Sequence, residues 1–190
     1  MAVVLAAGAG TRMGGPKALL RWREQPFLRH AVAALRRPGV AEVAVVLGHD
    51  AARVRAEAAE AAPDRWLVNP RHGEGMLTSI WAGLDAAVEE GMDAVLVHPV
   101  DLPAVSAATV DRVLAALAEG APVAVPSFRG RRGHPGGFAL GAWPALRGAS
   151  PAEGARVVMA LHPDWVVHVE GDAGCLADVD RPEDYARLPP

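Results

Sequence analysis

The stretch "VLAAGAGTRMGGPKALL", residues 4–20, follows a short apolar run and packs four glycines with Arg12 and Lys17. Glycines let a ligand approach the backbone, and their amides together with two cations suit phosphate. Two familiar nucleotide loops are excluded by spacing. A dinucleotide turn needs G-x-G-x-x-G, but Gly8, Gly10 and Gly14 leave three residues in the second gap. A P-loop, G-x-x-x-x-G-K-[ST], needs K-[ST] directly after its second glycine; Gly10 and Gly15 have the spacing, but Pro16 separates Gly15 from Lys17, and Ala18 replaces the hydroxyl. The loop therefore belongs to another phosphate-binding fold.

Periodicity outward from this loop alternates strand with helix. Residues 2–7, 41–48, 65–69, 93–100 and 121–127 are short valine-rich runs of the kind buried on both faces of a parallel sheet. Between them, Leu77, Ile80, Trp81, Leu84 and Val88 share one helical face over 75–90, and Val110, Val113, Leu114 and Leu117 share another over 106–119. A further helix is expected from Ser150 as N-cap with Pro151 at its first position. The segment 175–188 reads as a last short strand running into a C-terminal helix. The pattern predicts one α/β domain over residues 1–190, three layers deep (α/β/α), around a mostly parallel sheet.

Composition narrows the function. The net charge of −3 gives no basic surface for nucleic acid, and no apolar stretch approaches a membrane span of ~20 residues. A single cysteine and a start without a signal-type leader point to a cytoplasmic protein without disulfides or a cysteine-based zinc site. Of the 19 Lys and Arg residues only Lys17 is lysine. Its place at the end of the glycine-rich loop suits a compact ammonium reaching a phosphate oxygen, although one survivor in an arginine-rich chain can also be chance.

Ligands of open α/β sheets sit beyond the carboxyl ends of the strands. Asp101, in "HPVDLP", lies at such an end opposite the loop, where it either holds a divalent cation or caps the turn toward Ser106. Asp178 and Asp180 in "DVDRPED" share one side of a regular strand. Asp180 contacts metal, starts a capping box with Glu183, or does both. Gly73, Gly75, Thr78 and Ser79 begin a helix beside a strand end, where free amides suit a nucleotide's sugar or base; Ser79 is equally readable as an ordinary early-helix residue. "RGRRGHPGGF", residues 129–138, is either a solvated hairpin or an acceptor loop in which arginines face an anion and His134 positions it.

Together, "LAAGAGTRMGGPK", "GMLTSIWAGL", "VDLP", "RGRRGHPGGF" and "DVDRPEDY" resemble, in order, the molybdenum cofactor nucleotidyltransferases of the nucleotide-diphospho-sugar transferase superfamily, with the nearest likeness to the cytidylyltransferase branch. The resemblance implies that Leu5, Ala6, Ala7, Gly8, Gly10, Gly75 and Ser79 bind the nucleotide. Arg12 and Lys17 would hold its triphosphate and, with Asp101, carry catalysis. Mg2+ would sit on Asp101 and Asp180, and the acceptor on Arg132 and His134. Alanine at position 7 points to CTP. The implied reaction transfers CMP to a phosphorylated acceptor, the molybdenum cofactor, with release of pyrophosphate and a molybdoenzyme or cofactor-insertion protein as partner. Two rivals share the motifs: a sugar- or alditol-phosphate nucleotidyltransferase, and a nucleotide-binding protein without turnover. The chain departs from the branch at Leu102, where glutamine is usual, and at 150–155, where only Gly154 and Ala155 match its glycine-aspartate-lysine/arginine-glycine-alanine segment.

Overall fold

A computed structural model describes residues 1–151 and 153–189. The first half comprises β1 (Ala2–Ala6), β2 (Arg21–Trp22), β3 (Gln25–Pro26), α1 (Phe27–Leu35), β4 (Val43–Leu47), α2 (Ala51–Glu57), β5 (Arg65–Val68) and α3 (Met76–Glu89). The second comprises β6 (Ala94–Pro99), α4 (Ala107–Ala118), β7 (Val123–Phe128), β8 (Arg131–Arg132), β9 (Gly136–Ala139), α5 (Trp143–Gly148), α6 (Ala155–Leu161) and β10 (Val166–Glu170). The main sheet has the order β10-β7-β9-β6-β1-β4-β5, with β8 paired to β7. Its pairings are parallel except where β8 and β9 join their neighbours.

Each central strand feeds two cores. Ala2, Val4, Ala6, Val43, Val45 and Leu47 pack under α1, α2 and α4, around Phe27, Leu28, Val54 and Val110. Val3, Leu5, Ala44, Val46, Val95 and Val97 pack on the other face, against Leu77, Ile80 and Leu84 of α3 and Trp143 of α5. This is the expected three-layer α/β arrangement, and it explains why the strands read as unbroken apolar runs. β1 lies between β4 and β6, so the chain winds outward from it in both directions. The crevice at this reversal is where α/β sheets bind ligands. Among the described residues no helix is long and apolar enough to cross a membrane.

Four expectations need correction. The buried stripe of α3 runs through Leu77, Ile80, Leu84 and Ala87, whereas Val88 is 57% exposed and Trp81 lies on the flank. At 100° per residue Trp81 and Val88 sit roughly 60–90° from the stripe's centre. The helix expected from Ser150 begins instead at Ala155, because Gly154 takes a positive φ of 70° and interrupts any helical path from Pro151; Ala152 lies outside the described residues. Residues 175–180 form no strand. The last strand is β10, and the chain ends in a 3-10 helix over Pro182–Arg187. Finally, Asp184 rather than Glu183 caps that helix, its Oδ2 accepting from the backbone N–H of Asp180 and Arg181 at 2.9 and 2.8 Å.

Candidate active site

The loop after β1 is shaped by Gly10. Its φ of 60° is left-handed, and its carbonyl accepts from the N–H of Met13 and Gly15 at 2.9 and 3.2 Å. A Cβ here would lie 1.9 Å from the Gly15 carbonyl oxygen, so only glycine closes this loop. Pro16 then turns the chain into a short 3-10 helix, Lys17–Leu19, anchored by buried Ala18.

Lys17 reaches across the crevice. Its Nζ donates to Asp101 Oδ2 at 2.7 Å and also to Asp180 Oδ1. Asp101 follows β6, and its backbone carbonyl accepts from Val179 N–H at 3.0 Å, which docks the C-terminal segment and carries Asp180 into place. Burial pushes the Lys17 ammonium down, but hydrogen bonds and charge from Asp101 and Asp180 outweigh it and hold its pKa above the usual lysine value. The ammonium is charged at neutral pH.

A crevice of about 240 Å³ is lined by Leu5, Ala6, Ala7, Gly8, Gly10, Lys17, Ser79 and Asp101. These are the sequence candidates for the nucleotide, with two exceptions. Arg12 is exposed on the Thr11–Met13 turn and does not line the crevice. Gly75 lines a neighbouring cavity of about 510 Å³ together with Arg132 and His134. That cavity is walled by Ile80, Val97, Val125, Phe138 and Met159. Asp178 lines a third groove with Asp101 and His134, which Lys17 does not line. Of the two late aspartates, it is Asp180 that shares Lys17 with Asp101.

The 129–138 segment divides into two parts. Arg131 and Arg132 form a short exposed hairpin strand, while Gly133 and Gly136–Phe138 are buried as the chain enters β9. His134 lies between them, its N–H bonded to the Cys175 carbonyl at 3.0 Å. Burial pushes its imidazole below the ordinary range, against the opposing charges of Asp101 and Asp178. It is neutral at pH 7. Beneath it, buried His98 donates from Nε2 to the Leu102 carbonyl at 3.1 Å. Burial, with His134 beside it, pushes His98 down to about 3.

Sequence reasoning missed His72, Met76, Pro99 and Val100, all of which line the nucleotide crevice. Met76 also borders the other two cavities. The exposure of Met76 is a property of the fold, and the sequence carried no signal that singled out these four.

The donor set suits a hard divalent cation. Two carboxylates converge on one positive charge, that of Lys17, so their oxygens already face a common cation position. Among the described residues no group of three or more His, Cys, Asp or Glu forms a closed metal site. Magnesium-type sites take one or two carboxylates and complete their shell with phosphate oxygens and water, which this arrangement permits.

Residues 2–167 match the model of the MobA-like NTP transferase domain. The chain belongs to that family. A nicotine blue oxidoreductase from Paenarthrobacter nicotinovorans is 38% identical over 98% of this chain and 94% of its own. A bifunctional GlmU protein from Azorhizobium caulinodans is 40% identical over 68% of this chain, which spans 29% of that larger protein. Among solved structures, a nucleotidyl transferase from Methanothermobacter thermautotroptrophicus superposes with a TM-score of 0.80 at 28% identity, covering 98% of this chain and 94% of its own. A Mycobacterium tuberculosis protein in complex with manganese superposes at 0.73, with 26% identity and 98% and 96% coverage. The 2-C-methyl-D-erythritol 4-phosphate cytidylyltransferase of Thermus thermophilus does so at 0.70, with 27% identity and 97% and 95% coverage. The family is one of nucleotidyltransferases, which typically use a divalent metal.

Proposed function

We propose that this MobA-like protein transfers CMP from CTP to a phosphorylated acceptor, the molybdenum cofactor, in a magnesium-dependent reaction that releases pyrophosphate. The observation that carries the reading is the Lys17 ammonium held between Asp101 and Asp180 beside the glycine loop. The backbone amides of the loop bind the triphosphate, and Lys17 neutralises charge that grows on the departing pyrophosphate. Arg12, on its exposed turn, closes onto the same phosphates from outside. Asp101 and Asp180 would hold the metal, which supplies charge neutralisation and a fixed geometry for the phosphates. Arg132 orients the acceptor's anion at the mouth of the larger cavity, with His134 as a neutral hydrogen-bonding group beside it. The acceptor phosphate is already ionised near pH 7 and needs no general base, so positioning dominates. A Thermus cytidylyltransferase of the same fold is consistent with CTP.

The test is pyrophosphate release with Mg2+ and each of CTP, GTP, ATP and UTP, against the molybdenum cofactor and a panel of sugar and alditol phosphates. Release with CTP and the cofactor is expected. Release with a sugar phosphate alone would move the protein to the sugar-nucleotide branch. Triphosphate binding without release would make it a non-catalytic binder.

A second reading is favoured by the full-length relative that is named an oxidoreductase. The apolar walls of the larger cavity would suit an aromatic dye. Bleaching of such a dye by a reduced nicotinamide dinucleotide, with no pyrophosphate release from any pair, would support it.

A further inference from the structure

Asn69 follows β5 and is buried. Its Oδ1 accepts from the backbone N–H of Arg71 at 2.9 Å. Its Nδ2 donates to Thr78 Oγ1 at 2.8 Å and to Ser79 Oγ at 3.0 Å. The Arg71 amide fixes which end of the carboxamide is which, because a backbone N–H can only donate. Both Nδ2 protons are therefore committed, and both hydroxyl oxygens act as acceptors toward Asn69.

The two hydroxyls differ in what they do with their own protons. Thr78 donates to the carbonyls of Arg71 and Gly75 at 3.0 and 2.9 Å. Ser79 donates to nothing among the described residues, and it lines the nucleotide crevice with Ala6 and Gly8. With one lone pair taken by Asn69, Ser79 meets a ligand with a second lone pair and with a proton that no described residue accepts.

We propose that Asn69 is a positioning residue that sets the polarity of Ser79 and thereby decides which nucleobase the crevice accepts. The inference rests on the nucleotide reading above and adds the group that controls base choice. The Ser79 proton pairs with a ring acceptor such as N3 of cytosine. A ring N–H of uracil or guanine instead takes the remaining lone pair and leaves the Ser79 proton without an acceptor. A buried hydroxyl proton left without an acceptor discriminates more strongly than a missing contact.

Asn69→Asp is nearly isosteric and reverses the arrangement. The carboxylate still accepts from Arg71 N–H, but it also accepts from both hydroxyls, which turns a Ser79 lone pair toward the crevice. The measurement is calorimetric titration of CTP, UTP, GTP and ATP with Mg2+ on the full chain. For Asn69→Asp, CTP affinity falls about ten- to a hundredfold and its preference over UTP and GTP collapses. Ser79→Ala also loses the preference, and adding Asn69→Asp in that background changes it no further. If Asn69→Asp does not fold, Asn69→Ala replaces it: a freely rotating Ser79 narrows the gap between CTP and its competitors. Equal weakening of all four triphosphates, or an Asn69 effect on preference that survives Ser79→Ala, would reduce Asn69 to a scaffold and overturn the proposal. Failure of the wild-type chain to bind any triphosphate would overturn the nucleotide reading itself, and the proposal with it.

Discussion

Lys17 Nζ and Asp101 Oδ2 lie 2.7 Å apart although 84 residues separate them in the chain, and Asp180 closes on the same nitrogen from a further 79 residues on (180 − 101). The lysine is about four-fifths shielded from water, so this pairing is a partly dry one, in which removal of one partner leaves the others exposed to uncompensated charge. The cluster joins the loop after β1, the end of β6 and the C-terminal segment.

Lys17→Met keeps the length of the side chain and removes its charge. Turnover should fall about 10²–10³-fold, with a smaller change in CTP KM, as for other preorganised groups that act on developing charge. Steady-state pyrophosphate release checks it. A turnover within about twofold of wild type would take Lys17 out of the mechanism.

Because Lys17 already occupies the two carboxylates, metal binding without nucleotide competes with an internal cation. Mn2+ should therefore bind Lys17→Met more tightly than wild type in the absence of triphosphate, read as loss of the free Mn2+ signal by electron paramagnetic resonance. Asp101→Asn should abolish the response of activity to Mg2+ or Mn2+. A normal metal titration by that variant would remove Asp101 from the site.

Gly10→Ala places a Cβ against the Gly15 carbonyl at a backbone angle that disfavours side chains. The loop must open. Triphosphate affinity should drop at least about tenfold, while the thermal midpoint moves by only a few degrees because the loop lies outside both cores. Calorimetric binding beside a melting curve separates the two effects.

His98 gives stability a dependence on pH. Its folded value, about 3, is below the ordinary 6.5, so between these limits the unfolded chain takes up a proton that the native state refuses. Its cost is absent above about pH 6.5 and accumulates as pH falls toward 3, at up to about 1.4 kcal/mol per pH unit. His134 is displaced in the same direction. Asp64, Asp111, Asp172 and Asp184 are held below their ordinary carboxylate range, so their stabilising contributions are lost only at lower pH. Denaturant midpoints between pH 6.5 and 5 should fall steadily in wild type and less steeply in His98→Gln. Equal slopes would show that His98 is not buried neutral.

The sequence alone determined the layers. Short valine-rich runs without alternation read, by their length and β-branched content, as strands covered on both faces, and the apolar stripes over 75–90 and 106–119 supplied helices to cover them. It also set the glycine loop and Asp101 at the carboxyl ends of two strands, and the structure makes those strands parallel neighbours. Local signals failed where side chains from distant segments decided the outcome. The 175–180 segment forms no strand because it is spent on docking: Val179 bonds to Asp101, and Asp184 takes the amides that Asp180 and Arg181 would offer a sheet. Nothing local marked His72 or Pro99 as crevice walls, or told Asp180 from Asp178, because two residues on one irregular segment can meet different partners: Asp180 reaches Lys17, and Asp178 lines a separate groove. Periodicity records which face of an element is buried, and the sequence therefore specified the sheet, its helices and the edge where chemistry would gather. Which charges touch, which hydroxyl is left with a free proton and which cavity a glycine borders depend on distances between segments tens of residues apart, and only the tertiary structure sets those.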